Sequence, residues 1–312
     1  MTPAIPLADL QKGVVIVGLA RNCARTLPAT VERLADVFRP FHNVRWMVVE
    51  SDSDDDTVAV LEQLCTTVSG FAYRTLGRLA DHISERTARI AHCRNHYLDY
   101  LAELKGTTHA DEPGLLVVAD MDGVNGELTV DGLRSCWRRS DWSACTANQR
   151  GLYYDIWALR HPQWCPGDCW AQSRFLERYT GSAGSARKAS VHARMIPIPP
   201  DAEWLEVDSA FGGLAIYRLG ALGDARYAGL TSDGQPICEH VALHAAMRAR
   251  DERIFINPGL INADTSTLIE QYWPEREQVT RATRSSVFRA LMRLFFGQRL
   301  SKNLRRRLQS LD

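Results

Sequence analysis

Three short apolar runs, two of which end at acidic residues, constrain the fold of this chain more than any other feature. They cover residues 13–20, 44–50 and 114–119. Runs of β-branched and aliphatic residues without polar alternation are typical of parallel sheets, because helices cover both faces of such sheets. Acids stand at the ends of the second and third runs, at Glu50 and at Asp120. Open α/β sheets bind ligands at the carboxyl ends of their strands, so the sequence predicts a doubly wound sheet with a polar site there.

Helical patterns separate the apolar runs. Pro28 opens one amphipathic segment that ends at Phe38, and another extends from Thr57 to Cys65 after a group of capping residues. The order β-α-β-α is the opening of an α/β domain. Further predicted elements are helices over 81–104, 128–140 and 238–250, strands over 211–217 and 254–257, and a mobile loop over 180–186. We expect one domain over residues 1–278, with a mostly parallel central sheet flanked by helices.

Composition and cysteine usage limit the class of protein. The chain has 312 residues, of which 45% are hydrophobic and 24% charged, which excludes wholesale disorder and fibrous repeats. No apolar run approaches the roughly 18 residues of a membrane span, and the first one is too short and too late for a signal peptide. The eight cysteines are scattered, which predicts reduced thiols and a cytoplasmic location. The spacing of Cys165 and Cys169 does not match a zinc knuckle, so free thiols are expected there.

Charge is divided along the chain, although 37 basic and 37 acidic residues cancel. Residues 279–312 hold nine basic residues and one acid, so this tail carries +8 and residues 1–278 carry −8. Apolar residues recur at every fourth tail position from Phe288 to Leu308, the pattern of a basic amphipathic helix. Such a helix either lies on an anionic membrane surface, peripheral to the membrane, or packs on the acidic body. Without a nucleic-acid motif, no nucleic-acid partner is expected.

Asp120 and Asp122 are the sharpest candidates for chemistry. They follow a buried run and precede Gly123, which allows a turn that brings the two carboxylates together. Paired carboxylates bind a hard divalent cation, Mn²⁺ or Mg²⁺, that bridges a diphosphate. The alternative is a loop or cap, where the Asp-x-Asp pattern is common.

Other polar groups fit a nucleotide site. Glu50, with Asp52 close by, can accept hydrogen bonds from a base or ribose, although helix capping also explains such acids. Arg94 stands on the helix before the third run, where a guanidinium attracts phosphate, although solvated helix charges are common. His240 and His244 lie four residues apart, but no third ligand accompanies them, which disfavours zinc.

The aromatic stretch after residue 142 supplies candidates for sugar contacts. Trp157 offers an apolar face for sugar C–H groups, although core packing explains it equally well. Asp155 and Arg160 are flanked by bulky residues, which indicates either function or a buried ion pair.

Four ordered motifs carry a resemblance. They are Val14–Asn22, Val48–Thr57, Ala91–Asn95 and Val117–Asp122. Together they resemble nucleotide-sugar glycosyltransferases of the GT-A fold, which are Rossmann-like. The segment from Asn148-Gln149 to Arg160 is similar to the fungal capsule-associated α-1,3-mannosyltransferase family and its bacterial relatives.

The resemblance implies a role for each matching residue. Ala20, Arg21, Glu50 and Asp52 would hold the nucleoside, and Asp120 with Asp122 would hold the cation. Arg94 would stabilise the departing nucleoside diphosphate. Asn148, Trp157, Arg160, Gly212 and Gly213 would contact the sugar or the acceptor.

Three further residues would take part in catalysis. Asp155, Glu239 and His240 are the candidates, and Glu239 would be the general base of an inverting enzyme or would steady the acceptor in a retaining one. The resembling enzymes more commonly carry an acidic residue where this chain has His240. The stereochemistry of the transfer, inverting or retaining, therefore stays open. No histidine follows Ile254, where many relatives place a further metal ligand.

The predicted function is therefore metal-dependent transfer of a hexose, mannose or similar, from a GDP- or UDP-linked donor. The acceptor would be a saccharide or a lipid-linked saccharide. Dehydrogenases and phosphate-loop nucleotidases are disfavoured because their glycine motifs are absent. A nucleotidyltransferase and a non-catalytic sugar-binding or scaffold protein remain as alternatives.

Overall fold

A computed structural model describes residues 3–105 and 113–267, and all but the last of these belong to one unit, Met1–Ser266. Within these ranges no helix combines the length and the apolar character that a membrane crossing needs. The predicted basic tail, residues 279–312, lies outside the described residues.

A single eight-stranded sheet forms the centre of the fold. Its strands are β1 (Val14–Ala20), β2 (Val44–Glu50), β3 (Tyr73–Thr75), β4 (Leu115–Ala119), β5 (Ala144–Arg150), β6 (Leu205–Val207), β7 (Leu214–Arg218) and β8 (Ile254–Asp264). Their order across the sheet is β3-β2-β1-β4-β7-β5-β8-β6. Strands β3, β2, β1 and β4 are mutually parallel, β7 runs opposite to both of its neighbours, and β6 runs opposite to β8. The predicted mostly parallel α/β sheet is confirmed.

Helices cover both faces of the sheet. They are α1 (Leu7–Lys12), α2 (Leu27–Phe38), α3 (Thr57–Thr67), α4 (Arg86–Lys105), α5 (Val130–Ser135), α6 (Cys169–Thr180), α7 (Ala183–Ser190) and α8 (Glu239–Arg248). Helices α2, α3 and α5 bury their apolar stripes in one cluster with alternate residues of β1, β2 and β4. Helix α4 contacts β1, β2 and α8. Both faces of the central strands are therefore buried, which explains their unbroken apolar sequence.

The order in which strands are added to the sheet reverses between β1 and β4. The chain adds β2 and β3 on one side of β1 and then crosses to place β4 on the other side. The loops that leave β1 and β4 consequently diverge, and a crevice opens outside the carboxyl ends of the two strands. Ala20 ends β1 and Asp120 follows β4, so the predicted site residues meet there.

Two predicted segments differ in structure. The predicted helix over 128–140 is shorter, because α5 ends at Ser135 and a 3₁₀ turn ends at Arg138. The predicted mobile loop over 180–186 is wrong. Gly181 adopts a left-handed conformation (φ 63°) that ends α6, and the Ser182 hydroxyl accepts a hydrogen bond from Ser185 N and caps α7.

The second half of the sheet also differs from prediction. Residues 211–213 form a turn, and the strand itself starts at Leu214. Strand β8 continues to Asp264 and is an inner strand, and the short β6 forms the edge. Strand β5 was missed in the aromatic stretch, because Asn148 and Gln149 are polar yet almost fully buried. Their side-chain amides bond to neighbouring carbonyl groups, which offsets the cost of burial.

Candidate functional site

A cleft of about 350 Å³ opens at the carboxyl ends of β1 and β4. Ten of the predicted site residues line it: Ala20, Arg21, Asp52, Arg94, Asp120, Asp122, Asp155, Trp157, Glu239 and His240. They come from six separate parts of the chain. The remaining five lie behind its walls or away from it.

Arg94 on α4 is the buried cation of the cleft. Its Nε donates a hydrogen bond of 2.8 Å to Oε1 of Glu239, and a terminal nitrogen lies 3.7 Å from Oδ1 of Asp120. The Phe211 ring centroid lies 5.2 Å from the guanidinium carbon. Arg94 is only 5% exposed, so its pairing with the acids is weakly screened by solvent. One guanidinium therefore joins the start of α8 to the end of β4.

Asp122 and Asp155 line the cleft together with the two acids that pair with Arg94, Asp120 and Glu239. Burial first raises the pKa of Asp120 to about 7, Arg94 opposes this, and the charges of the neighbouring acids add to the rise. Burial likewise raises the pKa of Asp155. Arg21, Arg86 and Arg89 also line the cleft, so it holds arginines and acids together.

Asp120 and Asp122 fit a divalent cation that the substrate helps to hold. Gly123 (φ 96°) turns the chain after them, and Asp122 is exposed to the cleft. Among the described residues no group of three or more acidic, histidine or cysteine side chains could hold an ion. Two carboxylates completed by phosphate oxygens and water are the usual ligands of Mg²⁺ at phosphate sites. The acidic donor set suits such an ion.

Gly212 and Gly213 form backbone hydrogen bonds with Asp155 and Asp120. Gly212 N donates to Oδ2 of Asp155 at 2.9 Å, and Asp120 N donates to the Gly213 carbonyl at 2.9 Å. Both glycines have positive φ, 71° and 88°. A Cβ on Gly213 would lie 2.9 Å from Val124 Cγ1. These two glycines therefore set the backbone that fixes Asp155 and Asp120, and they do not line the cleft themselves.

The other end of the cleft lies between the loops that follow β1 and β2. Arg21 Nε donates to the Asp52 carbonyl at 3.2 Å, and Oδ1 of Asp52 accepts from Ala80 N at 2.8 Å. Glu50 lies behind this wall, 2% exposed, where it accepts hydrogen bonds from the Thr75 hydroxyl and from Ser53 N. The backbone and Arg21 are thus presented to the cleft, whereas Glu50 secures the loop.

His240 lies in the first turn of α8 and lines the cleft. Its ring stacks on Phe211 with centroids 3.9 Å apart, and its Nε2 lies 3.6 Å from Oε1 of Glu239. Neither ring nitrogen has a hydrogen-bond partner within the described part of the chain. Burial, then the charge of Arg94, holds its pKa well below the ordinary value, so the ring is neutral. Both ring nitrogens are therefore enclosed by the protein and unpaired within its described part.

Three predicted sugar contacts take different positions. Trp157 lines the cleft, and its Nε1 donates to Oδ2 of Asp168 at 2.8 Å. Arg160 also donates to Oδ2 of Asp168, at 3.2 Å, and does not line the cleft. Asn148 is fully buried and donates to the carbonyls of Ile198 and Pro258. Trp157 can therefore contact a ligand, whereas Arg160 and Asn148 stabilise the wall of the cleft.

Several residues at the site carried no usable sequence signal. Phe211 and Tyr154 line the cleft, but an isolated aromatic residue is ordinary in any sequence. Asn262 donates to Asn125 Oδ1 at 2.8 Å and to the Gly212 carbonyl at 2.9 Å. This amide network joins β8 to the loop after β4, and 137 residues separate its partners.

The comparisons with known proteins give structural likeness alone. No protein-family model and no curated protein sequence matches the chain. A mannosyltransferase, PcManGT from Pyrobaculum calidifontis in complex with GDP-Man and Mn²⁺, is 14% identical, with a TM-score of 0.43 over 80% of this chain. Glucosyl-3-phosphoglycerate synthase from Mycobacterium tuberculosis in complex with UDP is 12% identical, with a TM-score of 0.38 over 84%.

A third similar structure is TarS 1–349 from S. aureus, 12% identical, with a TM-score of 0.43 over 88% of this chain. This chain spans 56% of the mannosyltransferase, 74% of the synthase and 66% of the TarS fragment.

Proposed function

We propose that this protein is a metal-dependent glycosyltransferase of the GT-A type that transfers a hexose from a nucleotide sugar to a hydroxyl group of an acceptor. The observation that carries the proposal is the clustering of Asp120, Asp122, Asp155 and Glu239 in one cleft, where buried Arg94 pairs with Asp120 and Glu239. This cleft lies at the switch point of the sheet. Nucleotide sugars are dianionic at the diphosphate, so a cleft that binds a cation on paired carboxylates suits them.

Each residue has a task in this proposal. Arg21 and the loop after β2 hold the nucleoside. Asp120 and Asp122 hold Mn²⁺ or Mg²⁺, which would neutralise the diphosphate as it leaves. Arg94 is fixed by Glu239 and supplies a further positive charge near Asp120.

The acceptor side is formed by α8 and the aromatic segment. Glu239 takes the acceptor proton in an inverting transfer and steadies the acceptor in a retaining one. His240 stacks on Phe211 beside Glu239 and would help to position that carboxylate. Trp157 offers a face to the sugar. A mannose donor, a saccharide or lipid-linked acceptor, and a cytoplasmic, peripheral location remain predictions.

Thermal melting tests the donor site. We expect GDP, UDP or one of their sugars to raise the melting temperature only when Mn²⁺ or Mg²⁺ is present. Asp122→Asn should remove this shift and leave the melting temperature of the free protein unchanged, because Asp122 is exposed. Asp131→Asn, an exposed acid on α5, is the matched control and should keep the shift. If no nucleotide stabilises the protein in a metal-dependent way, the proposal fails.

Product assays separate the competing functions. Release of sugar from the stabilising nucleotide sugar is expected of a transferase, because water replaces the missing acceptor. Binding without release would indicate a sugar-nucleotide binding module. Release of pyrophosphate from a nucleoside triphosphate would indicate a nucleotidyltransferase instead.

A further inference from the structure

Helix α6 carries an exposed aromatic pair. Phe175 is 49% exposed and Tyr179 is 76% exposed, and their ring centroids lie 5.1 Å apart. Cys169 and Ser173, the buried residues of this helix, lie on a different side of it. The two rings therefore project away from the core. Elsewhere among the described residues, only Leu7 and Ile196 are large apolar side chains of comparable exposure.

Basic residues surround the aromatic pair. The α6–α7 hairpin, Cys169–Ser190, contains four basic residues and one acid, which are Arg174, Arg178, Arg187, Lys188 and Glu177. The guanidinium carbon of Arg178 lies 5.4 Å from the Phe175 ring centroid, and that of Arg187 lies 5.5 Å from the Trp170 ring. Aromatic rings and positive charges are thus interleaved on one surface.

We propose that this surface, formed by Arg174, Phe175, Arg178, Tyr179 and Arg187 and here named the hairpin face, docks on an anionic lipid surface. Exposed rings with a polar rim occupy the boundary between headgroups and acyl chains. Arginines bind headgroup phosphates through charge-assisted hydrogen bonds. A second copy of the chain is a poorer occupant, because a two-fold contact would place the same positive charges against each other.

The hairpin face is directly connected to the cleft. Asp168 caps α6 by accepting a hydrogen bond from Ala171 N at 2.7 Å, and its other oxygen accepts from Trp157 Nε1. Tyr179 lies about 16 Å farther along the helix axis at 1.5 Å per residue. Docking of the hairpin would therefore hold the Trp157 side of the cleft near the lipid surface. The docking itself does not depend on the proposed transfer reaction.

A fluorescence experiment on the full chain tests which surface meets the lipid. Cys65 on α3 is the one exposed cysteine, since the other seven are buried. An environment-sensitive dye is attached either to Cys65 of the unchanged chain or to position 179 of the Cys65→Ser, Tyr179→Cys variant. With phosphatidylglycerol-containing vesicles, the dye at position 179 should shift to the blue, and the dye at Cys65 should not. Vesicles of phosphatidylcholine alone should shift neither dye.

Vesicle flotation gives an independent measurement. Phe175→Ser with Tyr179→Ser should lower partitioning into anionic vesicles by about tenfold or more, because two large apolar groups no longer leave water. Leu7→Ser removes an exposed apolar group elsewhere and should have no effect. Since all three side chains are exposed, the melting temperatures should match that of the unchanged chain.

Three outcomes would overturn the proposal. The protein could fail to bind anionic vesicles. It could bind while the dye at position 179 stays in water, which would assign binding to another segment such as the basic tail. The dye could also shift without vesicles as protein concentration rises, which would show self-association through the hairpin face.

Discussion

At the scale of single residues, the cleft depends on one buried arginine and its acidic partners. Arg94 faces Glu239 and Asp120 with almost no solvent to screen it, and more acids surround it than it can pair. A buried charge that loses its partner is costly, because the partner was its substitute for water. Substitutions here should therefore affect stability as well as activity, in directions that differ between the cation and the acids.

Replacement of Arg94 should destabilise the fold strongly. Arg94→Met leaves Glu239 buried without its partner and should lower the free energy of unfolding by about 3–5 kcal/mol. Arg78→Met is the matched control, because Arg78 pairs with Asp54 and Asp81 in solvent, and it should cost less than about 1 kcal/mol. Urea denaturation measures both. Equal losses in the two variants would contradict the structural role of Arg94.

Replacement of Asp120 should have the opposite effect when no divalent cation is present. The folded state raises the pKa of Asp120 from 3.8 to about 7, so the folded protein binds more protons than the unfolded chain between these values. This carboxyl therefore destabilises the fold increasingly as the pH rises from about 4 to about 7. Asp120→Asn should be more stable than the unchanged protein above pH 7, and the difference should shrink towards pH 4.

Denaturation in EDTA across this pH range measures the effect of Asp120→Asn. The exposed variant Asp131→Asn serves as the control for loss of one negative charge. A stability difference that does not change with pH would show that the pKa of Asp120 is not raised.

At the scale of the elements, one capping residue connects a helix to the wall of the cleft. Asp168 accepts from Ala171 N, from Trp157 Nε1 and from Arg160. Ser182 caps the neighbouring helix α7 through Ser185 N, and within the described part of the chain its hydroxyl accepts from no other group. The two caps are close in sequence. Asp168 accepts hydrogen bonds from three residues, whereas Ser182 accepts from one among the described residues.

The two caps should therefore differ in their contribution to stability. Asp168→Ala loses a cap and leaves Arg160 and Trp157 without their shared acceptor, so it should cost about 2–4 kcal/mol. Ser182→Ala should cost about 0.5–1 kcal/mol, the usual effect of an exposed cap. Chemical denaturation of both variants tests this. If Asp168→Ala costs no more than Ser182→Ala, Asp168 acts as a helix cap only.

At the scale of the whole molecule, charge and topology are the main features. The sequence carries −8 in residues 1–278 and +8 in residues 279–312. The basic hairpin face therefore stands out within a body that is acidic on average. Both basic segments should favour anionic surfaces, and their contributions should be separable.

Deletion of residues 279–312 should weaken flotation with anionic vesicles and leave a salt-sensitive remainder due to the hairpin face. The comparison requires the full chain, the 1–278 chain, and the 1–278 chain with Phe175→Ser and Tyr179→Ser. Equal flotation of the first two would show that the tail does not bind lipid, which would favour its packing on the body.

The first half of the fold was predictable because its signals are local. Strands β1, β2 and β4 are continuous apolar runs, and the acids that follow them are adjacent in sequence. Strand β5 was not predictable, because the burial of Asn148 depends on carbonyls at Ile198 and Pro258. The site residues divide in the same way between local signals and long-range contacts. Asp120 and Asp122 could be named from their position, whereas the packing of Phe211 on Arg94 and His240 depends on contacts distant in sequence.

The strand order also has a consequence for when the site can form during synthesis. Strand β1 pairs with β4 about 100 residues later, and β5 pairs with β8 about 110 residues later. Glu239 must emerge before Arg94 gains its partner, and Asn262 must emerge before the network behind Gly212 is complete. Pairings of such long range form slowly. A ribosome-bound chain that stops before Glu239 would leave Arg94 without that partner and the sheet without β8.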